Sequence, residues 1–318
     1  MLDKTGRNID YMRISVTDRC NLHCKYCMPD NMAHFAHNDI LTYEEIAGIV
    51  TYSAELGINR IKITGGEPLV RKNICTLVKM LKNIKGIQQV TITTNGILLP
   101  QYYQSLIDAG IDGINISLDT LDEKIYKDIT GGNIGQVKEA LDIIKKHIPD
   151  IPIKINTVIT NKDNALGILT LARDNPFYVR FIEEMPIGFG KTGCVTADDI
   201  YSAIIKLYPD LTNDKNTYGN GPATYYKIPG FCGRIGFISA IRHKFCESCN
   251  RIRLTSTGFL KGCLCYDQGE DLRKIIRSDG PGDVKNIIKN VIYNKPKSHC
   301  FGNEEQITEH HGMSYIGG

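Results

Sequence analysis

The chain has 318 residues, 42% of them hydrophobic and 23% charged, an ordinary composition for a soluble globular protein with room for one large domain or two. A formal net charge of +3 is too small to point to nucleic acid or a membrane surface, so any positive charge the function needs must be placed locally. No apolar run approaches a membrane span, and the polar start from Met1 to Asp10 lacks the core of a signal peptide.

A cytoplasmic setting is therefore expected, where thiols stay reduced. Eleven cysteines there are better explained by metal or cluster ligation than by disulfides.

The hydrophobic pattern predicts strands at Tyr11–Thr17, Arg60–Thr64, Gln89–Thr94, Gly113–Leu118, Ile153–Ile159 and Phe177–Glu183. Amphipathic stretches between them predict helices at Tyr43–Leu56, Ile74–Asn83, Tyr102–Ala109 and Gly135–His147. Thr42 ahead of Tyr43-Glu44-Glu45 forms a capping box, and Gly57 stands where that helix should stop. The alternation gives an α/β fold with a parallel sheet, either doubly wound or curled into a partial barrel.

Alternation within the strands separates these options. Met12, Ile14 and Val16 point one way and Arg13, Ser15 and Thr17 the other; Ile61 and Ile63 oppose Lys62 and Thr64. Ile114, Ile116 and Leu118 likewise oppose Asn115 and Ser117, and Ile153 and Ile155 oppose Lys154 and Asn156. Strands covered by helices on both faces read as continuous apolar runs, and these do not. The pattern implies a barrel-like sheet whose inner wall is a polar, cation-rich ligand site; a half-exposed sheet with a solvated face is the alternative.

Beyond residue 190 a helix is expected at Thr196–Leu207, then a Gly, Pro and Asn-rich stretch from Tyr208 to Gly236. Two short helices follow, near Leu272–Ile276 and Val284–Ile292. A domain boundary is placed near residue 225, dividing a partial barrel (1–225) from a C-terminal domain (226–318).

Cys20, Cys24 and Cys27 form C-x3-C-x2-C just after the first strand. Three thiolates are one short of the four that zinc or an ordinary cluster takes, which suits a [4Fe–4S] cube with one open iron. A zinc site completed by His23 or His34 is the alternative. The group lies at the C-terminal end of a strand, where barrel sites are built. Gly65-Gly66-Glu67-Pro68 ends the second strand, where two glycines allow close backbone approach to a ligand. A second group, Cys246, Cys249 and Cys263, has C-x2-C-x13-C spacing, which also suits a zinc ribbon. Arg251 and Arg253 follow Cys249, and in an extended segment both face one side.

The C-x3-C-x2-C group with GGEP resembles the radical S-adenosylmethionine superfamily. FCESCNRIRLTSTGFLKGCL, with MRISVTDRCNLHCKYCMP, ITGGEP, TTNG, SLDTL, INTV and the final Gly317-Gly318, resembles one family within it, the GTP 3′,8-cyclases of molybdenum cofactor biosynthesis. The resemblance implies an incomplete (β/α)6 TIM-like barrel of the radical S-adenosylmethionine type with a C-terminal cluster-binding domain. It implies two [4Fe–4S] clusters and S-adenosylmethionine, with Tyr26, Gly65, Gly66, Glu67, Ser117 and Met185 at the S-adenosylmethionine site. Arg13, Lys62, Thr93, Lys154, Arg180, Arg251 and Arg253 would meet GTP. Arg13, Gly317 and Gly318 are the expected catalytic set, the two glycines threading into the active site.

The implied reaction takes the 3′ hydrogen of GTP with a 5′-deoxyadenosyl radical and joins C3′ to C8. An electron donor and a downstream cyclic pyranopterin monophosphate synthase are implied partners; nucleic acid and membrane are not, and a homodimer is one option. Cys265, two residues past Cys263, is a departure from the pattern that could close the second cluster as a fourth thiolate. Cys75, Cys194, Cys232 and Cys300 read as buried or inert thiols. A radical enzyme acting on a peptide and a zinc-stabilised nucleic-acid-binding protein are the rival readings.

Overall fold

The computed structural model describes residues 1–28, 34–147, 150–191, 193, 195–278 and 281–317. Six strands alternate with helices through the first half, and they are β1 (Tyr11–Ser15), β2 (Arg60–Thr64), β3 (Gln89–Thr94), β4 (Ile114–Ser117), β5 (Ile153–Ile159) and β6 (Tyr178–Glu183). Each pairs in parallel with the next, giving the expected arc of six βα units. The predicted ends differ by one or two residues.

Capping chemistry sets several helix limits. Thr42 and Glu45 make the reciprocal capping box that starts Tyr43–Glu55, and Thr196 and Asp199 do the same for Ala197–Leu207. The helix expected from Tyr102 begins at Leu99, because Pro100 falls in its first turn, where no amide partner is lost. Glu123–Thr130, Lys162–Gly167 and Leu169–Asp174 are helices that the sequence pattern did not single out.

The stretch from Tyr208 to Gly236 holds more structure than its composition suggested. It contains β7 (Thr212–Asp214) and β8 (Thr224–Lys227) and opens β9 (Arg234–Ile238). Further on come β10 (Arg251–Leu254), β11 (Phe259–Lys261) and β12 (Gly269–Asp271). Among the described residues the twelve strands form one sheet in the order β12-β11-β10-β1-β2-β3-β4-β5-β6-β9-β8-β7. β9 joins β6 and β10 joins β1 in parallel, while the outer hairpins are antiparallel. The boundary expected near residue 225 thus falls inside β8, and strands from the C-terminal region extend both edges of the barrel arc.

The apolar face of the arc packs under the helices: Met12, Ile14, Ile61, Ile63, Ile114, Ile116 and Ile155 are buried to 1% exposure or less. The other face bears the polar residues and encloses a cavity. A second, smaller apolar core lies near the C-terminus around Ile187, Ala240, Phe301, Ile307 and Ile316. Among the described residues no helix is long and apolar enough to cross a membrane.

Candidate functional site

The inner wall is built by strand register. Arg13 stands opposite Arg253 of β10 on one side and Lys62 of β2 on the other, so three cations lie abreast on adjacent strands. Farther round, Thr93 faces Asn115, Asn115 faces Lys154, and Asn156 faces Arg180. All these side chains line one cavity of about 340 Å³ that both cysteine groups also reach. The wall is polar yet shielded: Lys62, Lys154, Arg180 and Arg253 are each less than 10% exposed.

Burial and mutual repulsion act on these cations together. Burial, then Arg180, Arg13 and Lys154, hold the Lys62 ammonium well below its usual range. Burial and Arg180 lower Lys154 to about 7. Burial, with Arg13 and Arg251, does the same in direction for Arg253. Among the described residues none of Lys62, Lys154, Arg180, Arg251 and Arg253 forms an ion pair. Lys154 Nζ donates instead to the Tyr218 carbonyl, and Arg180 Nε to Asn156 Oδ1 at 2.9 Å.

Cys20, Cys24 and Cys27 sit in the loop after β1 and face the cavity. The Leu22 amide donates to Cys20 Sγ at 3.4 Å, and Asn95 Nδ2 approaches the same sulfur at 3.7 Å. Burial raises the Cys20 thiol to about 11 and Cys27 to about 12, and it raises Cys24 as well. Tyr26 lies between the last two cysteines, and its hydroxyl donates to Asp119 at 2.6 Å. His34 is paired with Asp18 at 3.1 Å, and neither it nor His23 lines the cavity, so the zinc alternative for this group loses its fourth ligand.

The glycine pair after β2 has a tighter packing reason than ligand approach alone. A Cβ on Gly65 would come 2.7 Å from the Thr17 carbonyl, and one on Gly66 would run into that of Arg19. The turn is thereby pinned to the strand that leads to the first triad, with Gly66 N donating to Thr17 O at 2.7 Å. Glu67 lines the cavity, but its carboxylate also braces the turn, accepting from Leu69 N, Thr94 Oγ1 and Asn95 N at 3.0, 2.7 and 2.6 Å. Burial outweighs these bonds and brings the carboxyl to about 7. Ser117 and Met185 line the same region.

Cys246, Cys249 and Cys263 face the cavity from the opposite side. His299 N donates to Cys246 Sγ at 3.4 Å and Arg251 Nη2 to Cys249 Sγ at 3.5 Å. Burial opposes ionisation of Cys249, but Arg251 and Lys295 outweigh it and bring the thiol to about 6. Cys265 is not part of the cavity wall; it is fully buried in the smaller apolar core. Cys232 is exposed rather than buried, and Cys194 lies outside the described residues.

Gly317 reaches this place. Arg253 Nη1 donates to the Gly317 carbonyl at 2.5 Å, and Gly317 takes φ +78° with room for no side chain: a Cβ would stand 2.6 Å from Thr64 Oγ1. Gly318 lies outside the described residues. Sequence reasoning did not find Arg7, whose guanidinium binds the carbonyls of Cys246, Lys295, Pro296 and Lys297 and so fixes the second triad's surroundings. Nor did it single out Asp119 or Asn95, although both lie in the SLDTL and TTNG segments that carried the resemblance.

Among the described residues no group of three or more His, Cys, Asp or Glu side chains stands at metal-binding distances. The donor sets nonetheless fit iron and sulfur, being all-thiol, turned to a shared cavity and met by N–H donors aimed at sulfur.

Residues 14–174 match the Radical SAM superfamily, and residues 177–301 match Molybdenum Cofactor Synthesis C. A protein of Streptococcus suis, SuiB, shares the fold at a TM-score of 0.66 over 96% of this chain and 76% of that one, with 13% identity. The GTP 3′,8-cyclase of Clostridium perfringens (strain 13 / Type A) is 45% identical over 325 residues, covering all of both chains. That of Alkaliphilus metalliredigens (strain QYMF) is 43% identical over 327 residues, again with full coverage of both. With this identity along its whole length, the chain belongs to the GTP 3′,8-cyclase family, and family membership carries with it the use of iron–sulfur and S-adenosylmethionine.

Proposed function

We infer that the chain performs the reaction its relatives are named for, the radical conversion of GTP to the cyclic pyranopterin precursor at the first step of molybdopterin biosynthesis. The observation that carries this reading is the row of buried cations. Like charges close together in a sheet are unfavourable, and Arg253 and Lys62, which flank Arg13 in register and form no ion pair among the described residues, favour a polyanion between them. A nucleoside triphosphate supplies one. A peptide substrate, the rival reading, brings no comparable negative charge. A nucleic-acid binder carries its basic residues on an exposed face, and these are inside.

In this reading Cys20, Cys24 and Cys27 hold one [4Fe–4S] cluster and Cys246, Cys249 and Cys263 the other, each set leaving one iron open for a ligand. When bound, the clusters and S-adenosylmethionine supply the one-electron cleavage that generates a carbon radical. The remaining tasks are the protein's. Tyr26, oriented by Asp119, lines the S-adenosylmethionine side together with Gly65, Gly66, Glu67, Ser117 and Met185. Arg13, Lys62, Lys154 and Arg180 neutralise the triphosphate and hold the ribose in place for attack, with Thr93 beside it. Arg251 and Arg253 close the far side, and Arg253 fixes Gly317 so that the tail narrows the cavity and excludes water. Gly318 shares that role on family grounds. An electron donor and the synthase that takes the product onward complete the scheme.

The test is anaerobic: load the clusters, add reductant and S-adenosylmethionine, and quantify 5′-deoxyadenosine with and without GTP. Release stimulated by GTP, with loss of GTP itself, is the expected result. Cleavage indifferent to GTP discards the substrate and keeps the radical enzyme.

A further inference from the structure

Behind the wall that carries the second triad, two further cysteines meet inside the smaller apolar core. Cys265 Sγ and Cys300 Sγ stand 3.0 Å apart, and the Cys300 amide donates to Cys265 Sγ at 3.4 Å. Bonded sulfurs sit at about 2 Å, so a closing movement of roughly 1 Å separates this pair from a disulfide. Neither residue lines the cavity, and the cyclase reaction has no use for them.

Their position is not arbitrary with respect to that reaction. Cys265 follows Cys263 by two residues, and Cys300 follows His299, whose amide steadies Cys246 Sγ. The pair therefore joins the segment that presents one ligand of the second triad to the segment that supports another, across a sequence separation of 35 residues.

We propose that Cys265 and Cys300 are a redox-active dithiol that closes to a disulfide, a covalent brace behind the second triad. The oxidant is a low-molecular-weight disulfide. Cys300, 9% exposed against 0% for Cys265, is the entry point. Its sulfur attacks one sulfur of the oxidant, forming a mixed disulfide and releasing one small thiol. Cys265 then attacks Cys300 Sγ, breaking the mixed bond and releasing the second. Two protein thiols give up two electrons and two protons, and the oxidant leaves as two thiols. In a reducing compartment the open dithiol is the resting form, and oxidative load closes it.

Cluster-loaded enzyme, held without oxygen, is treated with oxidised β-mercaptoethanol, unfolded in an alkylating agent and mapped by mass spectrometry. Exposed Cys232 reports that the oxidant was active. A peptide linking Cys265 to Cys300, lighter by two hydrogens and reversed by reductant, is expected at about tenfold the yield of any other pair. In Cys265→Ser, Cys300 should stop at the mixed disulfide. A chelator should draw iron from the second triad more slowly in oxidised than in reduced wild type, and at one rate in Cys265→Ser and Cys300→Ser. Recovery of both cysteines as free thiols while Cys232 is capped overturns the proposal, as does linkage of either mainly to another cysteine. Equal iron loss in both redox states overturns the brace. The peptide map is read whether or not GTP turns over, so it fails or holds apart from the proposed function on which the brace rests.

Discussion

The cavity is lined by thiols at both ends, yet the two ends differ in charge. Around Cys20, Cys24 and Cys27 the wall carries Glu67, Glu183 and Glu184, and Asp119 stands behind Tyr26. Around Cys246, Cys249 and Cys263 it carries Arg251, Arg253, Arg7 and Lys295. Both ligand sets are three thiols, though at different spacings, and what further separates them is the company the fold brings. S-adenosylmethionine bears a sulfonium cation and GTP is a polyanion, so under the proposed function a cavity acidic at one end and basic at the other would sort its two ligands by charge.

The sharpest break of this comparison is a ligand at each end. Cys24→Ala should reduce S-adenosylmethionine cleavage to background, whereas Cys249→Ala should keep GTP-independent cleavage and lose cyclisation; 5′-deoxyadenosine and GTP consumption measured side by side distinguish them. Identical loss in both variants would erase the division. Arg253→Ala removes a buried cation and the tether on Gly317, and kcat/KM for GTP should fall roughly a hundredfold, the scale of about 3 kcal/mol, with S-adenosylmethionine binding intact.

Gly317→Ala places a Cβ 2.6 Å from Thr64 Oγ1 at a left-handed φ, and cyclisation should drop about tenfold while iron content at both triads is unchanged. At the acidic end Tyr26→Phe gives up the bond to Asp119; S-adenosylmethionine binding should weaken by about 1 kcal/mol, with KM for GTP unmoved.

The gentlest probe is pH. Lys154 is held near about 7, so below that value it meets phosphate already charged, and above it a proton must be taken up on binding. GTP affinity should therefore fall as pH rises past 7, by at most about tenfold per unit, and Lys154→Arg should flatten the profile. A parallel titration of S-adenosylmethionine affinity that declines equally would assign the effect elsewhere.

Much of this was legible in residues close together in the chain. The two-residue alternation of β1, β2, β4 and β5 announced a polar inner wall, and the structure puts Arg13, Lys62, Lys154 and Arg180 on it. Both triads and the glycine turn were likewise local patterns. What escaped was pairing at a distance. Nothing within Arg251–Leu254 says that it will lie parallel to β1, and nothing near Arg7 points to carbonyls 239 to 290 residues away. The strands β7, β8 and β9 were hidden by turn-forming composition around short segments that gain order by extending an existing edge. Glu67 shows a subtler limit: the family resemblance implied a ligand contact, while its three bonds to the chain itself are visible only in the folded protein.

The docking of β10 on β1 also sets an order of assembly. The first triad spans eight residues of one loop and can form as soon as β1 and β2 have paired. The second must wait until a strand some 240 residues later returns to the first edge, a contact whose loop-closure cost delays it. A chain caught partway through folding would present a finished site for one cofactor and only scattered thiols for the other. By loop-closure cost alone, the thiols at the acidic end of the cavity would be assembled before those at the basic one.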